Sequence, residues 1–178
     1  AKLSARSVPT SDSKSQKLSS DPPSYAGAKF SSATLPPELF HVLLPGSNEE
    51  AAFEAYWASA DPDLKAKVGP LRDGDRSFVV KSFRVDEAGN PIMQGLPYSL
   101  VEASDKVDCW ALGVMAFMMF TGEPLVPSTR DDDCMSGSGM ALLYDWGTSP
   151  QIKQQRLDKV RDPAARDLVS KLLEHEAK

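Results

Sequence analysis

Residues 105–124, DKVDCWALGVMAFMMFTGEP, constrain the fold of this chain more than any other stretch. Val107, Trp110, Leu112, Val114, Met115, Phe117, Met118 and Phe120 spread around the whole circumference of a helix, and a helix that is apolar all round is expected to be enclosed by protein. Ser104 or Asp105 stands where an N-cap is needed, and Gly122 with Pro124 stands where the helix must stop. The pattern predicts a buried central helix with an acid, Asp108, at its mouth. With 41% hydrophobic residues among 178, the chain can surround such a helix with one real core, with or without a tail.

The flanking sequence supplies the other elements. Residues 1–28 are Ser, Lys and Pro with almost no large apolar side chain, and are expected to be mobile because they bury too little to offset ordering entropy. LPPELFHVLLPG (35–46) reads as a short helix opened by Pro37 and stopped by Gly46. SNEEAAFEAYWASADP has a capping-box spacing from Ser47 to Glu50, with Ala52, Phe53, Tyr56 and Trp57 on one face of the helix that follows. SFVVKSFRVDEAGNPIM (77–93) reads as a hairpin around Glu87–Asn90, the one good strand pair expected. Beyond the central helix lie an acidic loop, TRDDDCMSGSG (129–139), and a short helix through Met140, Leu142, Leu143, Tyr144 and Trp146. Two more helices are opened by Pro150 and Pro163, the latter with an apolar face of Leu168, Val169, Leu172 and Leu173. The fold class read from this pattern is mainly α with one small β-hairpin.

Several function classes are disfavoured. A net charge of −5 and a pI near 5.1 do not suit a protein that holds phosphate backbones, so no nucleic-acid partner is expected. No run of about 18 apolar residues exists to span a membrane, and the N-terminus lacks the apolar stretch of a secretory signal, so a soluble, cytoplasmic chain is expected. Cys109 and Cys134 have no metal or redox spacing, and Cys109 is expected buried within the apolar run. Gly137 and Gly139 are followed by Leu142 where a phosphate loop would need its third glycine, which leaves a flexible loop. Asp131, Asp132 and Asp133 fit no calcium loop and are expected to be solvated. Neither His41 nor His175 has a neighbour spaced for metal binding or nucleophilic chemistry.

Three segments nevertheless carry a resemblance. Asp108-Cys109-Trp110-Ala111-Leu112-Gly113 resembles the D-x-W-x-x-G that opens the buried central helix in the large lobe of eukaryotic protein kinases, and TGEPL resembles that helix's ending. Pro36-Pro37-Glu38 resembles the Ala-Pro-Glu that closes the kinase activation segment, and DPAARDLVSKLLEHEAK resembles a late helix of the same lobe. The resemblance implies the C-terminal, large-lobe portion of the α+β protein-kinase-like fold over residues 29–178, with an insertion at about 41–104 and an activation-segment-like stretch before it. It implies structural anchors at Pro37, Glu38, Asp108, Trp110 and Gly113. Asp108 would accept backbone N–H bonds from the catalytic loop, and Glu38 would pair with an arginine beyond the last helix. Ser31 falls where Ser/Thr-directed kinases carry a threonine and Thr34 where many carry an aromatic residue, so both are candidates for substrate docking.

The Gly-rich loop, strand lysine, His-Arg-Asp and Asp-Phe-Gly that a kinase needs all precede the Ala-Pro-Glu position, and none is present. Val79-Val80-Lys81 imitates the lysine strand on the wrong side of that order, so Lys81 is expected to face solvent. No catalytic, cofactor-binding or metal-binding residue is therefore expected in this chain. The parent implied by the resemblance is a Ser/Thr-type protein kinase using ATP and magnesium, with a protein substrate and the rest of the kinase domain as partners. A kinase-like scaffold without chemistry is the alternative.

Overall fold

The computed structural model describes residues 25–26 and 31–174. The mobile segment expected over 1–28 therefore lies outside the described residues except for Tyr25–Ala26, and so does His175. The described chain is α+β, with six helices and three small antiparallel sheets.

Tyr25–Ala26 forms β1. Two single 3-10 turns, Ser32–Thr34 and Pro37–Leu39, lead into β2 (Phe40–Leu43). Helices α1 (Asn48–Trp57) and α2 (Pro62–Val68) follow, then β3 (Leu71–Asp73), β4 (Arg76–Val80), β5 (Arg84–Val85), β6 (Pro91–Ile92) and β7 (Val101–Glu102). The last part is helical: α3 (Asp105–Thr121), α4 (Gly137–Asp145), α5 (Pro150–Leu157) and α6 (Pro163–Leu172). The expected helix over 35–46 is thus a turn and a strand. Pro36 sits in extended backbone, Pro37 opens one turn closed by Leu39 N–H donating to the Pro36 carbonyl, and Phe40 is again extended. Prolines at a helix start forfeit no intrahelical donor, so what ends the turn is the ladder that Phe40–Leu43 makes with Ser77–Val80.

Phe40–Leu43 instead pairs with Ser77–Val80, and β3 takes the other edge of β4. The expected 77–93 hairpin is correspondingly smaller: only β5 and β6 pair across Asp86–Asn90, while SFVV belongs to the three-stranded sheet β2-β4-β3. Side chains alternate across a sheet, and this one stands between two cores. Phe40, Val42, Phe78 and Val80 face the larger core, which holds Trp110, Phe117, Leu143, Trp146, Val160 and Leu173. Leu43 and Val79 face a smaller core with Phe53, Tyr56, Trp57, Val68 and Tyr98. The Arg76 guanidinium locks the sheet to α4 through a two-pronged bond to Asp145 at 3.1 and 3.0 Å, with Phe78 beneath it.

Helix α3 begins after Ser104 and ends at Gly122, whose left-handed φ of 73° suits only glycine without strain. It is not enclosed. Trp110, Gly113, Val114 and Phe117 are buried, whereas Leu112, Met115, Met118, Met119 and Phe120 are each at least half exposed, Met119 at 81%. Cys109, expected inside, is also exposed. The all-round apolar pattern is real, but the described chain covers one side only.

Candidate functional site

Residues 31–39 lie against the first half of α3 and the N-terminal end of α4, and here the motif residues gather. Trp110 is 1% exposed and meets Trp146 edge to face, with centroids 5.8 Å apart. Trp146 donates its Nε1–H to the Leu173 carbonyl at 2.9 Å, which ties the end of α4 to the end of α6. Gly113 is where α6 touches α3: a Cβ there would stand 2.8 Å from Leu173 Cδ2 and 2.9 Å from Leu172 Cβ. Trp110 thus fills the space beside Trp146, while Gly113, three residues on, leaves the gap that sets the approach of α6 to α3. Leu35, Leu39, Trp110, Val169 and Leu173 share one core, so three sequence-distant motifs meet there.

Asp108 does not occupy the buried position expected of it. It lies in the first turn of α3, exposed, on the rim of a hollow lined by Ala26, Leu35, Leu39, Ser104 and Val107. There it complements the helix dipole. Among the described residues, the buried Trp110 Nε1–H meets no acceptor. Glu38 is half-buried and opens on a groove that also receives Lys81. Lys81, expected in solvent, is only 7% exposed. Its N–H donates to the Leu39 carbonyl at 2.7 Å, which continues the β2–β4 ladder by one residue and draws the side chain inward.

Ser31 and Thr34 are held by backbone. Ser31 has a left-handed φ of 60°, Thr34 Oγ1 donates to its carbonyl at 2.8 Å, and Ser31 Oγ reaches the Asp131 carbonyl at 3.4 Å. Between them lies the residue that sequence reasoning missed. Ser32 is buried, its N–H and Oγ–H both donate to Asp133 Oδ1 at 3.1 and 3.3 Å, and its Oγ accepts from the Cys134 N–H at 2.9 Å. The Ala33 N–H donates to the Asp132 carbonyl at 2.9 Å. The acidic loop expected to be solvated is therefore the clamp on residues 31–34. Of its three aspartates, Asp131 and Asp132 are exposed as expected and Asp133 is half-buried. The Cys134 thiol is pushed up to about 11, first by burial and then by Asp133, with Ser32 opposing. A thiol so shifted stays protonated and inert.

Gly137 and Gly139, expected in a flexible loop, form the first turn of α4. A Cβ on Gly137 would come within 2.0 Å of the Arg72 carbonyl oxygen, so this glycine lets β3 cross the helix start. His41 sits half-buried in β2, 3.3 Å from Glu49. Burial holds its pKa below 6.5, against Glu49, which raises it, while Lys81 lowers it further. Among the described residues no three His, Cys, Asp or Glu side chains gather as metal ligands, and no helix is long and apolar enough to cross a membrane.

No protein-family model matches this chain, and neither a curated protein nor a solved structure does.

Proposed function

We propose that this chain is the framework part of a protein-kinase-like large lobe, and that its parent, a Ser/Thr-type enzyme, transfers the ATP γ-phosphoryl group to protein hydroxyls. The observation that carries the reading is the convergence of residues 35–39, α3 and α6 on one core, with Trp110 as filler and Gly113 as the contact point. Apolar residues of one domain share its core in any case, so the support lies in the specific fit of Gly113 against Leu172 and Leu173. Two further features support the reading. The uncovered apolar side of α3 is the surface that the other half of such a lobe would cover. The exposed Asp108 stands where its hydrogen-bond donors would arrive with a catalytic loop. On this reading Lys81, contributed by residues 41–104, supplies the cation that shares Glu38's groove.

ATP and magnesium do not fit the residues present. No cluster of metal ligands exists among the described residues, and the motifs that grip phosphate and magnesium in a kinase are missing from the sequence. The chain alone is therefore expected to bind no ATP–magnesium in calorimetry. A scaffold without chemistry is the second reading, favoured by the same uncovered face of α3, which would then be its binding surface. The test is phosphoryl transfer from labelled ATP by the chain joined to whatever its coding sequence places before Ala1. Transfer abolished by replacing the His-Arg-Asp aspartate supports the enzyme; absence of the upstream motifs leaves the scaffold.

A further inference from the structure

The uncovered side of α3 is a stripe with opposite charges at its two ends. Asp108, Leu112, Met115 and Met119 stand four, three and four residues apart, the repeat by which one helix lies along another. All four are exposed, and Met118 and Phe120, both half exposed, widen the stripe on its flanks. Asp105 and Asp108 mark the N-terminal end, in the first turn of the helix. At the C-terminal end, Phe120 and Thr121 share a hollow with Glu123, Asp158, Lys159 and Arg161. Lys159 is taken up there by Glu123, and Asp158 by Arg166. Among the described residues, Asp105, Asp108 and Arg161 have no ion-pair or hydrogen-bond partner. An apolar stripe about 17 Å long thus runs from unpaired acid to unpaired base.

We propose that this side of α3 pairs with the same side of a second copy of the chain, antiparallel about a two-fold axis. The proposal rests on the second reading above, in which the face is a binding surface, and names its partner. An axis between Leu112 and Met115 sets Asp108 of one copy opposite Met119 of the other and carries Asp105 and Asp108 towards Arg161, twice over. The apolar stripes coincide, and each end meets its opposite charge, a match that a second copy supplies without further adjustment. Outside the described residues the chain holds only Leu3, Val8, Leu18 and Phe30 as large apolar side chains, too few to cover the stripe. Five side chains at least half exposed offer on the order of 500 Å² of apolar surface per copy, so the pair buries about 1,000 Å², the floor of a specific interface. The dimer is therefore a weak one, in exchange with monomer.

The test is analytical ultracentrifugation of the full chain. From about 1 to 100 µM, the average mass should rise from 19.3 kDa towards twice that value. Met119→Glu, at the most exposed position, should weaken association about tenfold or more without touching either core. Asp108→Arg and Arg161→Asp should each weaken it as well, and the two together should restore it, because the exchanged charges face each other again across the axis. A single mass at every concentration, an association that Met119→Glu leaves unchanged, or a double exchange no tighter than either single variant overturns the pairing. A monomer refutes the dimer and leaves the scaffold reading standing, whereas kinase motifs upstream of Ala1 refute the scaffold whatever the mass.

Discussion

The two cores are built by different means. The larger one is closed by helix contacts and three-dimensional fit: Trp110 against Trp146, and Gly113 against the Leu172–Leu173 corner. The smaller is closed by polar tips on aromatic rings. Tyr56 packs against Trp57 and sends its hydroxyl to the Ile92 carbonyl at 2.7 Å, while accepting the Arg84 N–H at 2.8 Å. Tyr98 likewise donates to the Ser82 carbonyl at 2.9 Å. Burial drives both, but the smaller core also satisfies the backbone of short strands that have too little ladder of their own. Loss of fit should damage the first core, and loss of a single hydroxyl the second.

The largest effect is expected from Trp110→Ala, which should cost about 3–5 kcal/mol by chemical denaturation. A wild-type midpoint would show that the larger core does not depend on α3. Gly137→Ala forces a methyl onto the Arg72 carbonyl and should cost about 1–3 kcal/mol, read as a lower melting temperature. Tyr56→Phe should cost about 1–3 kcal/mol by stranding the Ile92 carbonyl and Arg84 amide. Its hydrogen exchange should rise around β5 and β6 and not in α3; equal rises in both would erase the distinction between the cores. His41 gives a smaller, pH-dependent effect at the sheet between them. Because its folded pKa is lowered, the unfolded chain binds more protons, so its contribution is present above pH 6.5 and is lost as pH falls through 6.5 towards the folded value. Stability curves of His41→Gln should lack that component. Asp108→Asn, at an exposed first-turn position, should cost only about 0.3–1 kcal/mol, through the helix dipole.

Local signals were legible in the sequence. Ser47 caps α1 by accepting the Glu50 N–H at 3.2 Å, Pro150 and Pro163 stand in the first turns of α5 and α6, and Gly122 ends α3. The sheet was not, because FHVLL and SFVV are separated by a long stretch and neither names its partner; prolines suit a helix start, and only the distant pairing turns Phe40–Leu43 into a strand. The exposure of α3 was hidden for another reason. Periodicity reports which sides of a helix want cover, not whether the described residues provide it. At the candidate site, Trp110 and Gly113 could be singled out as motif positions, whereas the Ser32–Asp133 clamp joins residues about a hundred positions apart, and a serine in a Ser-rich segment carries no local mark.

The sheet between the cores also fixes how this chain can be dissected. Residues 41–104 count as a detachable unit when the sequence is aligned to a shorter pattern, and their own core around Trp57 invites excision. Yet Val42, Phe78 and Val80 from that span face the other core. Joining Phe40 directly to Ser104 would strip a wall from the larger core. The shortest stable piece of this protein is therefore bounded by side-chain alternation along two strands, and gene-level cuts for separate expression must keep β2 and β4 together on the same side.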